Sequence, residues 1–137
     1  MRIYLDSNVF ISMFNKELNG NLRGLFVEAE GFFELARRKG CVLVLSELFF
    51  KEVKKICRNE ENEVLDFLAQ RGLKVELAFA QGEVSLKKLL KQGMHSTDAV
   101  HAAIAIKVKC DCIVTFNTKD FQAVKNIIPV LEPLEFI

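Results

Sequence analysis

The chain has 137 residues, half of them hydrophobic and 27% charged, with 19 basic against 18 acidic side chains. That length supports one domain, residues 1–137, with a full hydrophobic core, and is short for two. A formal charge of +1 leaves any nucleic-acid contact to a local patch, and the longest apolar stretch, CVLVLSELFF, is broken by Ser46 and Glu47 far short of a membrane span.

The N-terminus has no signal-peptide layout, so the protein is expected to be soluble and cytoplasmic. Its four cysteines, Cys41, Cys57, Cys110 and Cys112, form no C-x-x-C pair. Three of them lie in or beside apolar strand-like runs, where cysteine behaves as a small buried hydrophobe. Neither a zinc site nor a disulfide framework is expected.

In chain order, residues 2–6 predict a strand and 8–16 a short helix. The acid Asp6 follows the buried Ile3, Tyr4 and Leu5 directly, and helix capping alone would account for it. Residues 22–39 predict a longer helix ended by Gly40, and the continuous apolar run 42–45 a strand covered on both faces. Helices are predicted at 47–58 and 61–71. The stretch 74–80 reads either as strand or as extended loop. Helical patterns return at 83–92 and 97–109; then come a strand at 112–115, a helix at 118–126 and a last short strand in PVLEP. Strands alternating with helices and buried on both faces predict a parallel α/β sheet in a layered sandwich. Ligands of such sheets gather beyond the carboxyl ends of the strands, where Asp6, Thr115, Asn117 and Asp120 fall.

The helix after Ser46 carries two glutamates that the helical wheel separates. Leu48, Phe49, Phe50, Val53, Ile56 and Cys57 form its apolar arc, and Glu52 falls inside that arc. Glu47 lies opposite, with Lys51, Lys54 and Arg58, as a solvated first-turn acid. A carboxylate at position 52 needs a partner: Lys51 or Lys55 if it is only a border residue, or a site. Asp98 opens the apolar helix TDAVHAAIAIKVK behind Ser96 or Thr97 as cap, and either answers the helix dipole or faces a cleft. Asn117 and Asp120 resemble a capping-box pair. His101, one turn after Asp98, is placed to hold that carboxylate or to serve as a partly buried structural histidine.

Together, YLDSNVF, SELFFKEV, STDAVHAAIA and TFNTKDF resemble the PIN-domain nucleases over essentially the whole chain, most closely the VapC-type toxins and their stand-alone relatives. The resemblance implies a three-layer α/β/α sandwich with a central parallel sheet. It also implies a ribonuclease in which Asp6, Glu52, Asp98 and Asp120 are catalytic. Asp6, Asp98, Asp120 and Asn117 would hold Mg2+ or Mn2+, which suit hard oxygen ligands. One departure stands out: many relatives carry an acid where this chain has Asn117, so the fourth position falls to Asn117 or Asp120. Ser7, Asn8, Thr115 and His101 are expected behind the acids. Lys51 and Lys55, bordering Glu52, are expected to hold RNA phosphates, the substrate being single-stranded or looped RNA. Such relatives are restrained by an antitoxin and form homodimers. A degenerate PIN-like domain that binds without cutting is the alternative. An aspartyl-phosphate phosphotransferase is disfavoured because Asn8 stands where its second Asp would be.

Overall fold

The computed structural model describes residues 1–16, 24–79 and 83–136. Strands β1 (Arg2–Leu5), β2 (Val42–Ser46), β3 (Lys74–Ala78), β4 (Cys112–Val114) and β5 (Val130–Leu131) form one sheet in the order β3-β2-β1-β4-β5. Every neighbouring pair is parallel. The stretch that read as strand or loop is therefore an edge strand, and its alternating exposed and covered residues suit that place. Ala80 lies outside the described residues.

Helices α1 (Ser7–Phe14), α2 (Leu25–Arg38), α3 (Glu47–Cys57), α4 (Glu61–Gln70), α5 (Glu83–Lys91), α6 (Ser96–Lys107) and α7 (Pro133–Phe136) complete the chain. Residues 22 and 23 of the predicted second helix fall outside the described residues. Its other end is as expected: Gly40, at φ +66°, takes the left-handed conformation that stops a helix. The predicted helix at 118–126 is instead a 3-10 helix, Thr118–Val124, kinked at Phe121. The seven-residue segment turns tightly to bury Phe121 and Val124.

Alternation along the strands splits the core in two. Ile3, Leu5, Leu43, Leu45, Cys112 and Val114 face a layer formed by α1 to α4, with Phe136 of α7 packed against it. Tyr4, Val44, Ile113 and Val130 face the opposite layer, formed by α6, the 3-10 helix and Leu89 of α5. This is a three-layer α/β/α sandwich. None of the four cysteines forms a disulfide among the described residues, and burial pushes the Cys112 thiol up to about 12, so it packs as an uncharged hydrophobe.

The order of the strands positions the site. From β1 the chain moves to β2 on one side, whereas β4 leads to β5 on the other. The crevice past the carboxyl ends of β1 and β4 is a topological switch point, where α/β sheets bind ligands.

Candidate active site

Asp6 stands at that switch point. Its backbone N–H donates to Val114 O at 3.1 Å, carrying the ladder one residue beyond β1. It occupies the N-cap position of α1, yet its side chain makes no capping bond. The carboxylate is 6% exposed, and its Oδ2 accepts the Thr115 hydroxyl at 2.8 Å. Thr115 Oγ1 in turn accepts from Asn8 Nδ2 at 3.2 Å and from the Asn117 backbone N–H at 3.0 Å. Those two donors leave the hydroxyl proton committed to Asp6. Burial raises the pKa of Asp6, against the opposing pull of His101 and the Thr115 hydrogen bond.

Glu52 reaches the crevice from α3. Its Oε1 accepts from Ser7 Oγ at 2.8 Å and lies 2.7 Å from His101 Nε2, and its Oε2 accepts no hydrogen bond among the described residues. The partners are thus Ser7 and His101, not the neighbouring lysines. Lys51 pairs with Glu47 at 3.3 Å on the exposed side of the helix. Lys55 lies close enough to help stabilise the Glu52 carboxylate. Burial disfavours that charge, but the His101 bond and charge, with Ser7, outweigh it and leave the pKa below its ordinary value. Glu47 lines a separate cavity of about 190 Å³ with Leu45, Phe50, Glu61, Leu77, Ala78 and Phe79. The wheel's arc proves too wide: Ile56 is 55% exposed, and the buried face is Phe49, Phe50 and Val53.

His101 is only 1% exposed, deeper than the partly buried position expected for it. It holds Glu52 and not Asp98, with its Nε2 3.6 Å from Asp6 Oδ1 and its Nδ1 2.5 Å from the Tyr4 hydroxyl. The reason is direction: from the buried face of α6 its ring points down to the sheet, while Asp98 sits at the helix entrance. Burial disfavours its cation, but the Glu52 bond and the charges of Asp6, Glu52 and Asp98 raise its pKa overall.

The cap of α6 is His95, without a side-chain bond, so neither Ser96 nor Thr97 caps this helix. Asn117 likewise heads the 3-10 helix without a side-chain cap bond, and the expected capping-box pair does not form. Asp98 is therefore half-buried beside other acids: burial first, then Asp120 and Asp6, raise its pKa. Among the described residues, the potential ligand atoms gathered within 4.8 Å of one another are those of Asp6, Glu52 and His101. Asp98 and Asp120 do not complete such a group, as expected of like charges that repel. Tyr4 and Ser46, behind His101, were missed from the sequence. A lone tyrosine in a buried strand was the available signal.

The strain on Asp98 gives a measurable sign. A carboxyl whose pKa is raised on folding contributes stability that is complete below its ordinary pKa and lost as pH rises through the raised value. An acid in the first turn gains about 0.3–1 kcal/mol from the helix dipole, and here burial and two like charges outweigh it. At neutral pH in EDTA, Asp98→Asn is expected to be more stable than wild type by about 0.5–2 kcal/mol. Melting curves check this; a lower melting point for Asp98→Asn would leave the residue a dipole-stabilising one.

A family model described as PIN domain matches residues 3–127. No curated protein sequence is significantly similar to the chain. Among solved structures, a chain of VapBC2 from Rickettsia felis, bound to a DNA fragment from their promoter, is similar at a TM-score of 0.66 and 20% identity, covering 96% of this chain and 98% of that one. A chain of a toxin-antitoxin complex from Klebsiella pneumoniae gives 0.63 at 20% identity, covering 97% and 98%. The parallel sheet, the acid at the end of its central strand and the match over nearly the whole chain lead to one conclusion: this protein belongs to the PIN domain family.

Proposed function

We propose that the protein is a metal-dependent endoribonuclease that hydrolyses phosphodiester bonds of single-stranded or looped RNA, as the toxin of a toxin-antitoxin pair. One observation carries this reading: a buried carboxylate, Asp6, lies at the carboxyl end of the central strand, and with Asp120 it raises the pKa of Asp98. Three acids in one crevice, with no lysine or arginine paired to Asp6 among the described residues, are a donor set that suits a hard divalent cation.

Asp6, Asp98 and Asp120, with the Asn117 amide, would hold Mg2+ or Mn2+. When bound, such an ion lowers the pKa of water and neutralises charge on a phosphodiester in in-line attack. The protein's own part follows from the hydrogen bonds. Thr115 fixes Asp6 through Oδ2, and Asn8 fixes Thr115. Ser7 and His101 both occupy Oε1 of Glu52, leaving Oε2 to orient a water or accept its proton. Lys55, beside Glu52, is the better candidate for an RNA phosphate, because Lys51 already pairs with Glu47.

The remaining assignments rest on the relatives. A toxin-antitoxin complex among the structural neighbours supports an antitoxin partner. A homodimer and a cytoplasmic site of action belong to the same reading. No described helix is long and apolar enough to cross a membrane.

The test is cleavage of single-stranded RNA by purified protein with Mg2+ or Mn2+. Cleavage that EDTA abolishes is expected. Binding of RNA without cleavage in either metal would replace this reading with the degenerate, non-cutting domain. In the same buffers, Mg2+ is expected to raise the melting temperature of wild type more than that of Asp98→Asn, because a ligand that binds only the folded state stabilises it.

A further inference from the structure

Behind Glu52 runs a chain of hydrogen bonds that ends on backbone. His101 Nε2 lies 2.7 Å from Glu52 Oε1, His101 Nδ1 lies 2.5 Å from Tyr4 Oη, and Tyr4 Oη lies 2.8 Å from Ser46 Oγ. Ser46 Oγ accepts the Phe49 N–H at 3.2 Å as the N-cap of α3, the helix that carries Glu52. We infer that Tyr4, backed by Ser46, is a positioning residue that holds His101 as an Nε2–H donor and so fixes the Glu52 carboxylate in the crevice.

The direction of each bond follows from donor inventory. An ionised carboxylate only accepts, so His101 Nε2 must carry its proton toward Glu52. In the neutral ring Nδ1 is then bare, and among the described residues the group bonded to it is the Tyr4 hydroxyl, which must donate. Tyr4 Oη is free to accept the Ser46 hydroxyl, whose oxygen is already receiving Phe49 N–H. Each proton has one place to go. Tyr4 and Ser46 are fully buried and His101 is 1% exposed, so bulk water does not replace a lost member of the chain.

Composition supports a purpose beyond packing. The chain contains twelve phenylalanines and a single tyrosine, and that tyrosine is Tyr4. Its ring meets His101 edge-on, with centroids 5.6 Å apart, a contact phenylalanine would also make. What phenylalanine lacks is the hydroxyl. Groups behind metal-binding side chains set tautomer and orientation in this way.

The inference rests on the nuclease reading for its purpose, but its test does not need RNA. Imidazole 15N correlation spectra of metal-free protein, recorded at a pH where the ring is neutral, report which nitrogen carries the proton. A His95→Gln background removes the other, exposed histidine. His101 is expected as the Nε2–H tautomer in wild type and as a mixture in Tyr4→Phe. His101 Nε2 also lies 3.6 Å from Oδ1 of Asp6, a proposed metal ligand, so calorimetric Mn2+ affinity of Tyr4→Phe is expected to fall about tenfold, the lower end of the cost of losing an outer-shell partner. With RNA, kcat should fall while KM holds. An Nδ1–H tautomer in wild type overturns the inference, and this measurement stands even if Tyr4→Phe does not fold. An unchanged tautomer and Mn2+ affinity in a folded Tyr4→Phe overturns it as well. Absence of RNA cleavage, with the spectra and Mn2+ affinities as expected, would defeat the nuclease reading and leave the relay intact.

Discussion

Asp6→Asn is expected to stay folded and to lose RNA cleavage by more than about 100-fold, beyond the usual cost of losing a mere outer-shell partner. The fold should tolerate the change for a physical reason. Asn keeps an oxygen that accepts the Thr115 hydroxyl and removes a charge that burial already disfavours, as the raised pKa of Asp6 shows. The site should not tolerate it. An amide lacks the charge that attracts a divalent cation, and Asp6 is the most buried of the acids in the crevice. Cleavage rates of purified wild type and variant, with circular dichroism as the folding control, measure the effect. Equal rates after removal of contaminating nuclease would rule out Asp6 as a ligand.

The second large effect separates the two glutamates of α3. Glu52→Gln is expected to lower cleavage about 10–100-fold, as for a group that orients reactants around the metal. Glu47→Gln should change it little, since Glu47 is exposed, pairs with Lys51 and lines a different cavity. Stability supplies an independent sign. The Glu52 pKa is depressed by His101 and Ser7 despite burial, so the stability it contributes is present above its ordinary pKa and lost as pH falls through the folded value. At neutral pH, Glu52→Gln should therefore melt below wild type, the reverse of Asp98→Asn. The two acids of one crevice differ because Glu52 has an imidazole partner and Asp98 has acids for neighbours. Both differences should shrink once pH falls below the depressed folded value of Glu52 and the ordinary value of Asp98, where both carboxyls are protonated in either state. A Glu47→Gln variant more damaged than Glu52→Gln would invert the assignment.

Periodicity along the chain determined the alternation of strands and helices, the parallel sheet and the acids worth weighing. Those features are written in local pattern: apolar runs such as VLVL mark strands covered on both faces, and the position of Glu52 within its helix is a matter of angle. Local pattern does not decide partners. His101 lies one turn from Asp98 in sequence, yet it bonds Glu52, 49 residues away, and Tyr4, 97 residues away, because α6 packs its buried face onto the strand that carries Tyr4. The capping explanations for Asp6 and for the Asn117–Asp120 pair were equally sound locally and fail for the same reason. Tertiary bonds from Thr115 claim Asp6 and the Asn117 backbone, and the segment after β4 tightens into a 3-10 turn to bury Phe121. Only the tertiary structure, by bringing the ends of β1, β2 and β4 to one crevice, decided which polar groups satisfy one another and which acids are left facing like charge.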